Sequence, residues 1–198
     1  KYSAAAFATK HEDAIYFSKR VTRAVPDGGP IEAHTDLVKK LDYECELAVV
    51  LGRDARDVPA GQTRDYIFGY TILNDVSARD VQTAHKQWYF GKSLDGFTPI
   101  GPCIVTADAF ADYPPRLGIR SFVNGEKRQD SNTALQIFDI DHVIAELSQG
   151  MTLKAGTIIA TGTPAGVGMG MDPPQFLKPG DVVRCEIDGI GTLTNPVK

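Results

Sequence analysis

Leu41-Asp42-Tyr43-Glu44-Cys45-Glu46-Leu47-Ala48-Val49-Val50-Leu51 sets two carboxylates at the head of an unbroken apolar run. The run from Leu47 to Leu51 reads as a strand buried on both faces. Side chains alternate across a strand, so Glu44 and Glu46 point the same way, about 7 Å apart along the backbone. Two carboxylates on one face of a buried strand repel each other and resist desolvation unless a cation lies between them. Oxygen-only ligands favour a hard ion, Mg²⁺, Mn²⁺ or Ca²⁺, over zinc. Alone, the Glu-x-Glu pair is most simply a solvated strand edge, and a third acid is needed to decide.

Asp75 is that acid. Gly69-Tyr70-Thr71-Ile72-Leu73-Asn74-Asp75-Val76-Ser77-Ala78-Arg79-Asp80 begins as a strand rich in β-branched and aromatic residues and then turns polar. An acid just past a strand end either serves a turn or closes a metal site. With Glu44 and Glu46 it makes a cluster of three negative charges that favours a divalent cation.

These stretches resemble the fumarylacetoacetate hydrolase family. So do Trp88…Gly91-Lys92-Ser93…Asp95-Gly96-Phe97, Gly101-Pro102 and Thr161-Gly162-Thr163-Pro164-Ala165-Gly166-Val167-Gly168, all in family order and spanning nearly the whole chain. The resemblance implies Mg²⁺ or Mn²⁺, with Ca²⁺ able to substitute, held by Glu44, Glu46 and Asp75. It also implies a β-rich α+β fold of the fumarylacetoacetase C-terminal type, a mixed β-sandwich or roll forming one domain over 1–198. A homodimer and small-molecule 2-oxo or 2,4-dioxo acid substrates follow from the same likeness. The resemblance further implies Lys92, Glu44 and Asp75 as catalytic residues and Arg79, Gln82, Thr163 and Phe97 as substrate-binding ones.

Composition bounds the function. A chain of 198 residues with 42% hydrophobic and 23% charged residues suits a globular protein with one substantial core. A formal charge of −4 with no basic cluster argues against nucleic acid as a partner. No apolar run approaches the roughly 18 residues of a membrane span, and no secretory leader is read at the start. The chain opens on Lys1 rather than Met, which leaves room for residues ahead of it. Cys45, Cys103 and Cys185 are odd in number and scattered, as free thiols of a cytoplasmic, reducing compartment would be.

Short strands with few helices point independently to an α+β domain. Asn124-Gly125 predicts a two-residue hairpin. Asp139 caps a helix expected over 140–149, with Ile140, Val143, Ile144 and Leu147 on one face and Gly150 ending it. Strands are expected over 157–161, 182–187 and 190–194, with turns at Lys178-Pro179-Gly180-Asp181 and Asp188-Gly189.

By residue type Lys92 is a snorkelling surface lysine; beside three carboxylates its ammonium balances charge and stabilises a developing enolate oxygen. Arg79 and Gln82 share a face if the chain after Asp75 is helical, and a surface pair is the plainer alternative. An Arg–Gln pair can take a substrate's acid or carbonyl end. The glycine-rich stretch 161–168 is either a tight turn or a loop offering backbone N–H groups and the Thr163 hydroxyl to an anion. It lacks the ending of a phosphate loop. His34, His85 and His142 read as surface residues. The family's lid pair of His and Glu falls on Ala5 and Ala8 when aligned on Tyr2, unless a shifted register uses His11 and Glu12. Hydrolysis needs a base to activate water, whereas isomerisation or decarboxylation leans on the electron sink. The leading expectation is a metal-dependent C–C hydrolase of acylpyruvate type. The alternatives are an isomerase or decarboxylase of hydroxymuconate-type catabolites or of oxaloacetate, and a metal- and dicarboxylate-binding relative without turnover.

Overall fold

The acidic stretch divides into β1 (Leu41–Asp42) and β2 (Cys45–Leu51), with Glu44 in the break just ahead of β2. The structure is a computed structural model that describes residues 13–198. The expectations attached to Tyr2, Ala5, Ala8, His11 and Glu12 lie outside the described residues. All seven residues of β2 are buried, as its apolar run requires. The chain then forms β3 (Ile67–Asn74), β4 (Ser77–Ala78), α1 (Arg79–Ala84), α2 (Tyr89–Lys92) and β5 (Ile100–Thr106). It continues through β6 (Gly118–Val123), β7 (Glu126–Asn132), α3 (Ile140–Leu147), β8 (Ile158–Ala160), β9 (Val182–Ile187) and β10 (Gly191–Pro196).

One four-stranded sheet has the order β5-β3-β2-β8, a second the order β10-β9-β6-β7, and β1 pairs with β4. Every ladder is antiparallel; parallel pairing among the described residues is confined to the isolated bridges Val25–Pro99 and Ile31–Val197. The two larger sheets pack face to face, β6 and β9 against β2 and β3. Cys45, Leu47, Val49 and Leu51 join Ile72, Ile119, Val183, Ile187 and Leu193 in the shared core. Each fully buried aliphatic side chain there contributes about 1.5–3 kcal/mol. Alternation sends Glu46, Ala48 and Val50 to the opposite face of β2.

The local expectations are met in type and shifted at their ends. Asn124 and Gly125 carry φ of 52° and 82°, the left-handed pair of a tight hairpin between β6 and β7. The Asp139 side chain accepts a hydrogen bond from His142 N at 2.8 Å and starts α3. That helix stops at Leu147, two residues early, because buried Ser148 donates to Ala145 O and accepts from Val58 N. β10 begins at Gly191 because Ile190 is spent closing the turn, its N–H on Ile187 O at 3.1 Å. Cys45 and Cys185 are buried free thiols, while Cys103 is exposed. No helix of the described residues is long and apolar enough to cross a membrane.

Candidate metal centre and active site

Strand register brings the acids together. Cys45 lies opposite Asn74 in the β2–β3 ladder, so both chains leave the sheet side by side. Asp75 N donates to Glu44 O at 2.9 Å, and Glu44 N donates to Asn74 Oδ1 at 3.0 Å. Glu44, Glu46 and Asp75 are all buried, and one oxygen from each lies within 4.8 Å of the others.

Cations from three elements converge on this cluster. Arg79, the first residue of α1, places Nη1 at 2.6 Å from Glu44 Oε1. Lys92, at the end of α2, places Nζ at 2.7 Å from Glu44 Oε2 and 2.6 Å from Asp75 Oδ2. It is 2% exposed, so the surface reading of Lys92 does not hold. Gly91 explains its position: a Cβ there would stand 2.6 Å from Gln82 N, so only glycine lets α2 lie on the start of α1. Lys19, from a segment without regular structure, places Nζ at 2.7 Å from Asp75 Oδ1.

Asp42 sits behind these groups with no exposed surface. Its carboxylate accepts from Arg79 Nε at 2.9 Å, Gly168 N at 2.7 Å and Met169 N at 3.0 Å. Gly168 must be glycine, since a Cβ would meet Gln175 O at 2.0 Å and Asp42 Oδ1 at 2.7 Å. Gly162 N donates to Glu46 Oε2 at 2.8 Å. The glycine-rich loop therefore turns several amides onto the protein's own carboxylates, not onto a free anion. Thr163 borders the cavity, but its hydroxyl donates to Cys45 O at 3.1 Å and accepts from Gln129 Nε2 at 2.7 Å.

The two glutamates differ in proton affinity. Burial pushes Glu44 up, but Lys92 and Arg79 outweigh it and hold its pKa to about 2. Burial, then the Asp75 and Glu44 charges, drive Glu46 well above its ordinary value. Burial weakens the proton affinity of both Lys19 and Lys92; paired carboxylates more than restore it for Lys92 and do not for Lys19. A buried Glu46 with no cation on it among the described residues, beside two further carboxylates, fits a divalent ion. All three ligands are oxygens, so the donor set suits Mg²⁺, Mn²⁺ or Ca²⁺.

A cavity of about 1240 Å³ opens over the centre, and Glu44, Glu46, Arg79, Gln82, Lys92 and Thr163 line it. Arg79 Nη1 also donates to Gln82 Oε1 at 3.2 Å, while Arg79 Nη2 is buried without a partner among the described residues. Arg79 borders the cavity, and a guanidinium with a spare donor is suited to a carboxylate. Trp88, Phe138 and Ile137 supply apolar wall. Phe97 does not belong to that wall. Gly96, at φ 80°, turns it into the core, where it has no exposed surface and stacks edge-on against His34 at 5.8 Å. Asp42, Lys19 and Gln129 were missed in the sequence. Asp42 lay in the decisive stretch, but one acid beside Tyr carries no spacing signal; Lys19 and Gln129 have no periodicity around them.

Comparison with known proteins agrees with this geometry. The family profile described as fumarylacetoacetate hydrolase, C-terminal, matches residues 2–198. Oxaloacetate tautomerase YisK of Bacillus subtilis is 45% identical over 186 residues, 94% of this chain and 62% of its own length. A solved fumarylacetoacetate hydrolase from Exiguobacterium antarcticum is 51% identical at a TM-score of 0.85, over 87% of this chain and 62% of its own. A 5-carboxymethyl-2-hydroxymuconate delta-isomerase from Mycobacterium smegmatis is 42% identical at a TM-score of 0.84, over 94% of this chain and 70% of its own. The chain thus spans about three fifths of the curated relatives it matches. With the acidic triad, the sandwich that carries it and a profile match over nearly every residue, the chain belongs to the fumarylacetoacetate hydrolase family.

Proposed function

We propose that this chain carries the active site of a divalent-metal-dependent enzyme that interconverts keto and enol, or double-bond, isomers of 2-oxo dicarboxylic acids. The carrying observation is Lys92 clamped between Glu44 and Asp75 beside an Arg79 nitrogen that has no partner among the described residues. A divalent ion on Glu44, Glu46 and Asp75 would act as a Lewis acid toward the substrate's carboxylate and 2-oxo oxygen. Arg79 Nη2 takes a carboxylate oxygen, and Gln82, whose Oε1 is engaged by Arg79, offers its amide N–H groups. Lys92 is held in the ammonium form by its two carboxylates; in the enol-to-keto direction it gives its proton to carbon, and the amine so formed takes the enol's O–H proton, which restores the ammonium. Isomerisation asks no more than this. Hydrolysis also needs a base for water, and no histidine among the described residues lines the cavity.

Relatives at 45% and 42% identity are named as an oxaloacetate tautomerase and a 5-carboxymethyl-2-hydroxymuconate delta-isomerase, which supports this reading over hydrolysis. The Exiguobacterium neighbour's name keeps C–C hydrolysis as the second reading. The test is direct. Purified protein, with and without Mg²⁺, is assayed for oxaloacetate tautomerisation, muconate-type isomerisation and acetylpyruvate cleavage by ultraviolet absorbance. Mg²⁺-dependent isomerisation faster than cleavage is expected; cleavage that outpaces both isomerisations reverses the assignment. A homodimer is proposed as the working unit, and sedimentation equilibrium measures it.

A further inference from the structure

Residues 15–24 form a strap without helix or strand, and every residue in it is exposed except Lys19. That one side chain is pushed into the centre, 11% exposed, with its ammonium on Asp75 Oδ1 at 2.7 Å. The rest of the strap is lightly held. Arg20 N donates to Ser93 Oγ at 3.0 Å, Phe17 packs edge-on against Trp88 at 5.3 Å, and the Tyr16 hydroxyl donates to Glu146. A segment tied by so few contacts opens at little cost.

Three cations pair with Asp42, Glu44 and Asp75, and they are not equally anchored. Arg79 is fixed by Asp42, Glu44 and Gln82 at the start of a helix. Lys92 bridges Glu44 and Asp75 from a second helix. Lys19 has Asp75, plus a long contact to Val76 O at 3.4 Å. A divalent ion on Asp75 repels all three, and the least anchored gives way. With Arg79, Lys92 and the ion set against Asp42, Glu44, Glu46 and Asp75, the centre is neutral once Lys19 leaves, so an anion bound there makes it negative and attracts the displaced ammonium.

We propose that Lys19 is a mobile counter-cation of this centre: it yields Asp75 to the divalent ion, moves with its strap, and then pairs with the anionic substrate. Only the last step rests on the 2-oxo acid reading. Lys19 thereby links metal occupancy to the cavity mouth, where Tyr16 and Phe17 stand.

The first test needs no substrate. Mn²⁺ binding is measured by electron paramagnetic resonance on the wild type, Lys19→Met and Lys19→Arg. Loss of the competing charge should tighten Mn²⁺ binding in Lys19→Met by about tenfold or more. Lys19→Arg should stay within a few-fold of wild type. Equal or weaker binding in Lys19→Met overturns the proposal and makes Lys19 a fixed prop for Asp75. Trp88 is the chain's single tryptophan, so its emission reports the strap through Phe17. Saturating Mg²⁺ should shift that emission in the wild type and leave Lys19→Met unchanged; an indifferent wild type overturns the movement. At saturating Mg²⁺, Lys19→Met should raise KM about tenfold with kcat within a few-fold, and an unchanged KM overturns the substrate pairing. If every 2-oxo acid proves inert, the Mn²⁺ and Trp88 results still decide the metal half, so the two readings fail separately.

Discussion

Glu44 and Glu46 are the same residue two positions apart, yet their neighbours give them opposite chemistry. Among the described residues two cations pair with Glu44 and none pairs with Glu46, whose proton affinity is raised by burial and by the Asp75 and Glu44 charges. A metal replaces the proton Glu46 would otherwise keep, so metal affinity should rise with pH. Stability should respond in the opposite sense. The folded chain holds the Glu46 proton above 4.5, where the unfolded chain has lost it, so stability without metal falls as pH rises above 4.5. Glu44 acts lower down: its contribution is complete above 4.5 and is lost as pH falls toward about 2. Melting curves in EDTA from pH 5 upward should therefore slope down in the wild type, and Glu46→Gln should flatten them; an unchanged slope removes Glu46 as the source. Glu44→Ala, Glu46→Ala and Asp75→Ala should each abolish Mg²⁺-dependent turnover, and full activity at sub-millimolar Mg²⁺ would take that residue out of the ligand set.

At the scale of elements, two short pieces of chain are held by single acids or single glycines. Asp42 ties Arg79 at the start of α1 to Gly168 and Met169 in the glycine-rich loop. Its replacement by Ala leaves a buried guanidinium and two buried amides short of a partner. Asp42→Ala should cost about 3–5 kcal/mol by urea unfolding and weaken substrate binding as Arg79 is released. A cost under about 1 kcal/mol would show that water or another group takes over. Gly91→Ala tests the seat of Lys92. Helix propensity alone favours Ala by about 1 kcal/mol, but the new Cβ stands 2.6 Å from Gln82 N and must push α2 off α1. Activity should fall at least tenfold with a lower melting temperature; a stabilised, active variant would show that α2 has room to shift. These pieces were partly legible. The Arg79–Gln82 helix face followed from spacing, whereas the stop of α3 at Leu147 depended on Ser148 meeting Val58 from a distant stretch.

Across the whole molecule, a metal that binds the folded chain alone stabilises it by mass action. At a hundredfold excess over its Kd, Mg²⁺ should add about 2.7 kcal/mol, which is about 5–10 °C in melting temperature for a chain this long. The shift should vanish in the Asp75→Ala variant, and a wild type indifferent to Mg²⁺ would count against the centre. The sequence by itself determined several of the strands and the faces of the acidic one, because alternation, hairpin turns and caps are local. That was enough to set Glu44 and Glu46 on one side of a buried strand and Asp75 at the end of another. Tertiary structure alone decided what lies across each face. Phe97 directly follows a glycine turn and could have faced either way until His34 packed on it. The loop amides could have met a ligand and instead met Asp42 and Glu46. Lys19 reaches Asp75 from 56 residues away. Periodicity is a property of neighbours in the chain, whereas the partner of a buried charge is chosen by which distant segments the packed sheets bring within hydrogen-bond reach.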